Sequence, residues 1–219
     1  MPVYTDYISA TIMYNLQILP ESLITGLVIL AILLANYSVA ILAASMAGTQ
    51  LLTGTIGRLL AAYMPDMAKV TTSLDMCNTG YVGKTWNRLL RGTESPEMLW
   101  HPLAPSIFMV TVSFLAGWGV GLRQLYKEEI NAGVLSASTM TTTTIISFMV
   151  VLLAFLFRYM SGCESAMGAI GGTIIGLLLG YFICIAVGFA SDRKLTNIWG
   201  IPLLRDRINN GAPLYVCTQ

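Results

Sequence analysis

Four stretches of this chain, residues 22–57, 98–122, 130–157 and 165–191, contain no Asp, Glu, Lys or Arg. Each is longer than the ~20 apolar residues needed to cross a ~30 Å hydrocarbon layer. Only 11% of the 219 residues are charged, against about 25% in an ordinary soluble domain. Twelve cations and eleven anions could not cover the surface of a water-soluble fold of this size. The mean hydropathy of +0.70 agrees. The fold class that follows is all-α: a polytopic membrane protein, because a helix satisfies its own backbone hydrogen bonds in lipid.

The apolar stretches place four spans at about 22–47, 104–122, 141–159 and 166–190. Residues 1–21 read as a peripheral helix. Ile8, Ile12, Leu16 and Leu19 repeat at helical spacing, and Tyr4, Tyr7 and Tyr14 suit headgroup depth. The first uncharged stretch runs on to Gly57, too short for two full crossings and a turn. Its remainder predicts a separate helix near 50–64, lying along the surface or tucked back against the bundle. Asn36 and Ser38 then lie inside span one. The Asn36–Tyr37–Ser38 glycosylation triplet is therefore discarded. The first 20 residues carry no Lys or Arg, so span one is expected to direct insertion.

The membrane domain thus covers 22–191, with a polar loop at 48–103 and an extramembrane tail at 192–219. Lys84, Arg88 and Arg91 share one helical side, with Trp86 on the apolar one. Together with Trp100 they suit a lipid interface. Four spans put both termini on one side. Lys and Arg then divide six to six, so the positive-inside rule does not orient the chain.

Gly168, Gly172, Gly176 and Gly180 fall four apart in span four. Each costs helix propensity, about 1 kcal/mol relative to Ala. In lipid the return is close backbone approach, because helices there associate by van der Waals contact rather than by the hydrophobic effect. The row is a glycine zipper, and its partner within the chain is the Ser113, Gly117 and Gly121 face of span two. Another copy of the chain or another integral protein is an equally permitted partner.

No catalytic, cofactor-binding or metal-binding set emerges. The cysteines, Cys77, Cys163, Cys184 and Cys217, lack CxxC spacing, and pairing of Cys77 with Cys163 is left open. His101 is a lone interfacial histidine. The inner parts of the spans hold no ionisable group, whereas transporters place such groups there. Arg123 and Arg158 sit at span ends, where they can snorkel. The Thr141–Thr144 run either lines a polar path or bonds back to its own helix. A net charge of +1 gives no electrostatic case for nucleic acid. The chain is therefore read as a non-enzyme.

The tail, "NIWGIPLLRDRINNGAPLYVCTQ", is too apolar for a disordered segment and too short for its own core. It must lie on its own bundle, on the membrane or on a partner. Trp199, Leu203, Leu204 and Tyr215 are the candidate docking residues. Following a glycine-rich span, this tail resembles small multi-span proteins in the inner membranes of large icosahedral double-stranded DNA viruses. That resemblance implies a structural role in an endoplasmic-reticulum-derived virion membrane, linking lipid to capsid. An accessory subunit of an organellar or bacterial membrane complex, and a small oligomeric channel or carrier, are the alternatives.

Overall fold

A computed structural model describes residues 19–63, 105–133, 136–160, 164–191 and 193–198. The described residues are helical throughout, and no strand occurs among them. The helices are α1 (Leu19–Leu33), α2 (Tyr37–Tyr63), α3 (Ile107–Leu125), the short α4 (Lys127–Asn131), α5 (Ala137–Met160) and α6 (Ala166–Ala190). A 3₁₀ turn, Lys194–Thr196, follows. Among the described residues, four segments are long and apolar enough to cross a membrane: Tyr37–Gly57 and the whole of α3, α5 and α6.

The first span differs from the sequence expectation. Residues 22–47 do not form one helix, because the chain turns at Leu34–Ala35–Asn36. Ala35 takes a left-handed φ of 46°. The Asn36 N–H reaches the Ala31 carbonyl at 3.1 Å, and the Ala35 N–H reaches that of Ile32 at 3.3 Å. This is the Schellman pattern that terminates helices, with alanine where glycine is usual. Asn36 then starts α2. Its Oδ1 accepts from the N–H of Ser38 at 2.9 Å and of Val39 at 3.4 Å, the bonding of an N-cap.

The turn folds α1 back along α2, so that Leu23, Ile24 and Leu27 pack against a cluster containing Leu42 and Met46. The stretch near 50–64, expected as a separate helix, belongs instead to α2, which is 27 residues and about 40 Å long.

The centre of the bundle is α3. Thirteen of its 19 residues are buried, against four of 24 in α5. It also has the lowest hydropathy of the four candidate spans, because its small and hydroxyl side chains meet protein rather than lipid. Ser106 caps its start, accepting from the Met109 N–H at 3.0 Å.

Directions follow from the contacts. Gln50 of α2 donates to the Thr111 hydroxyl at 2.9 Å, while Leu42 and Met46 join Trp118 and Leu122 nearer the far end of α3. These two helices are therefore antiparallel. The α5 helix also runs against α3: Arg158 lies over Phe108, and Val151 and Ala154 share a cluster with Val112 and Ala116. Its buried residues, Met140, Val151, Ala154 and Arg158, trace one narrow stripe. The rest of α5 is a perimeter that includes exposed Ile145, Met149 and Leu153.

A left-handed alanine is strained by about 1–2 kcal/mol. Ala35→Gly is therefore expected to raise the unfolding midpoint of the detergent-solubilised protein, by roughly 1 kcal/mol in stability. An unchanged or lowered midpoint would refute the strain at this turn.

Candidate functional site

The buried face of α6 is built from Gly168, Ala169, Gly172, Gly176, Gly180, Cys184 and Gly188, spaced almost throughout at four residues. Against it lies α3, running parallel. An added Cβ at Gly172 would sit 2.7 Å from the Ser106 carbonyl oxygen. At Gly176 it would strike the Ser113 hydroxyl and Val110 carbonyl, and at Gly180 the Phe114 carbonyl. From the other side, a Cβ at Gly117 would meet the Leu177 backbone, and one at Gly121 would lie 2.8 Å from the Cys184 Cβ. Backbone thus rests on backbone along the interface. Gly168 belongs to the same face, its carbonyl accepting from the Ser106 N–H at 3.0 Å. Gly171 is different, with nothing within 4 Å of an added Cβ. The groove is filled by α3 of the same chain, which leaves no room in it for an outside helix.

Two ionic contacts lie at opposite ends of this pair. At one, the Arg158 guanidinium donates to Glu164 Oε1 from Nε at 3.0 Å and from Nη2 at 2.6 Å. The side chains are 1% and 7% exposed. The guanidinium carbon stands 4.9 Å from the Phe108 ring centroid, in cation–π geometry. The expectation that Arg158 snorkels is therefore corrected. Glu164 precedes α6 and faces the end of α5, so the arginine finds an anion inside the protein and has no need of the headgroups. Arg123, by contrast, is exposed.

At the other end, Arg193 approaches the buried Glu129 at 3.2 Å and the exposed Glu128 at 3.6 Å. The Tyr126 hydroxyl donates to the Arg193 carbonyl at 3.0 Å and lies 3.3 Å from the Thr196 hydroxyl. Burial raises the Tyr126 phenol above its ordinary value of 10.0; the Thr196 bond opposes this and Glu129 adds to it. The phenol is thus protonated at neutral pH and able to donate. Asn36 Nδ2 donates to the Ile198 carbonyl at 3.1 Å, and the Ser38 hydroxyl to that of Lys194 at 3.2 Å. Asn36 and Ser38, expected within span one, instead mark this polar end of the bundle.

Three hydroxyls in the first half of α5 turn to their own helix. Thr143 donates to the Thr139 carbonyl at 2.9 Å, Thr144 to Met140 at 2.8 Å and Ser147 to Thr143 at 2.9 Å. Among the described residues, no group of three or more His, Cys, Asp or Glu side chains could hold a metal ion. The interface candidates Lys84, Trp86, Arg88, Arg91 and Trp100, the docking candidates Trp199, Leu203, Leu204 and Tyr215, the N-terminal helix up to residue 18, and Cys77 and Cys163 lie outside the described residues.

The chain matches no protein-family model, no curated protein and no solved structure.

Substitutions sort by contact. Gly172→Leu or Gly176→Leu should part α3 from α6 and unfold the detergent-solubilised protein at markedly lower temperature. Gly180→Ala, with one methyl against backbone, should cost about 1–3 kcal/mol. Gly171→Ala and Leu178→Ile should be near neutral; equal losses at Gly171 and Gly180 would contradict the close-approach account. Glu164→Ala strands a buried cation, at an expected cost of about 3–5 kcal/mol, whereas the double change Arg158→Met, Glu164→Leu should be much milder. A double variant as unstable as the single one would show that the charge pair is not the cause.

Proposed function

We propose that this chain is a structural membrane protein that packs as a rigid helical unit in a bilayer and anchors or organises a protein assembly, linking a viral inner membrane to its capsid. The four long apolar helices are compatible with a membrane protein and with association with a lipid bilayer. The step from there to a scaffold rests on one observation: each buried ionic side chain among the described residues is held by a counter-ion of the same chain. Arg158 is held by Glu164, and Glu129 by Arg193, each pair at a bundle end. The glycine groove is taken up by α3. Thr143 and Thr144, in the threonine run of α5, bond to their own backbone. What such a unit offers its surroundings is an apolar perimeter and its extramembrane segments.

The viral setting draws on the resemblance of the tail after the glycine-rich helix. Lys194 is exposed where the chain leaves the last helix, so it reports on what lies beside the tail. Crosslinking of native membranes or particles, read by mass spectrometry at Lys194, Lys69 and Lys84, tests the proposal. Crosslinks to a coat or capsid protein are the expected result. Crosslinks confined to other integral subunits would replace it with the accessory-subunit reading.

A further inference from the structure

We infer that the turn after the last membrane helix, Arg193–Ile198, is a clasp that holds the α1–α2 hairpin on the bundle and couples the tail to that hairpin.

The turn satisfies its own backbone only in part: the Thr196 hydroxyl donates to the Arg193 carbonyl at 3.1 Å and the Asn197 N–H to the Lys194 carbonyl at 3.4 Å, and the other donors lie elsewhere. Arg193 is left-handed, at φ 67°, and its N–H reaches back to the Gly188 carbonyl at 2.7 Å. The carbonyls that follow have left the α-helical ladder, and a buried carbonyl without a donor is costly. Donors come from two separate parts of the chain. The Tyr126 hydroxyl, at the end of α3, supplies the Arg193 carbonyl. Ser38 supplies Lys194, and Asn36 supplies Ile198, across 156 and 162 residues of sequence. Thr196 is fully buried between these groups, and the Ile198 side chain packs on the cluster that holds Leu42, Met46 and Trp118. Glu129 and Glu128 hold the Arg193 side chain.

The hairpin needs the turn in return. Near its tip, Ile32, Leu33, Leu34 and Tyr37 are exposed and contribute little burial against the bundle. Val39, Leu42 and Ala43 bury the inner side of α2 close behind the tip, and the two side-chain bonds add a polar attachment of the tip itself to the exit turn. Asn36 does both jobs at once: Oδ1 caps α2, while Nδ2 holds Ile198. Movement of the exit turn therefore disturbs the α2 cap, and loosening of the tip deprives the exit turn of donors. The contact lies within the described residues and involves no outside partner, so the inference does not depend on the viral reading.

Amide hydrogen exchange of the full-length protein in lipid nanodiscs tests the coupling in both directions. Tyr126→Phe and Thr196→Val touch the exit turn and not the hairpin. Each should speed exchange at Ser38 and Val39, whose N–H groups bond the Asn36 cap, by about tenfold or more. Ser38→Ala, a mild change on the hairpin side, should likewise speed exchange at Lys194, Asn197 and Ile198. If Tyr126→Phe and Thr196→Val loosen only residues 193–198, and Ser38→Ala leaves those amides unchanged, the two segments are independent and the clasp is overturned.

Discussion

Two backbones in direct contact underlie this fold. In lipid, burying an apolar side chain against another helix gains little over leaving it among acyl chains. What remains is the density of van der Waals contact, and it grows as helix axes approach. The glycines of α6 and those of α3 let each helix enter the other's surface. The directions follow from that contact. With α3 and α6 parallel, α5 must return between them along the outside, and it needs only a narrow stripe to do so. Beyond its threonine-rich start, the residues exposed on its outer surface, among them Ile145, Met149 and Leu153, are large and apolar.

The charged residues obey a second constraint, set by the same medium. An ion in hydrocarbon without a counter-ion is expensive. The buried pair Arg158 and Glu164, beside the link between α5 and α6, and the half-buried pair Glu129 and Arg193, just past α3 and α6, therefore lie where helices end. In each case the partners come from different elements, so the electrostatic contact also joins helix ends. The glycine interface holds α3 and α6 together along their length, and the polar ends settle how the neighbouring segments meet them.

The features readable in advance were those with a strong local signal. Uncharged runs of sufficient length mark α3, α5 and α6, and the four-residue glycine spacing marks one face of α6. The break at residues 34–36 was hidden for a physical reason. A helix normally announces its end with glycine or proline, whereas here alanine takes the left-handed position within an unbroken apolar run. The surviving clue was Asn36 followed by Ser38, an N-cap pattern that reads as two stray polar residues if the run is assumed to be a single span. Arg158 and Glu164 were likewise visible as residues, but their pairing depends on the antiparallel return of α6 beside α5. Contacts between residues far apart in sequence, such as Asn36 with Ile198, leave no local trace at all.

The inverse relation between position and hydropathy has a consequence for how the protein enters a membrane. The helix at the centre, α3, is the least apolar of the four candidates, while the peripheral α5 and the glycine-faced α6 are the most apolar. Partition into lipid is decided segment by segment on apolarity, before neighbours are in place. The segment on which the finished bundle is organised is thus the one with the weakest claim of its own to the bilayer. In the finished bundle it is approached most closely by α6, whose missing side chains make room for it.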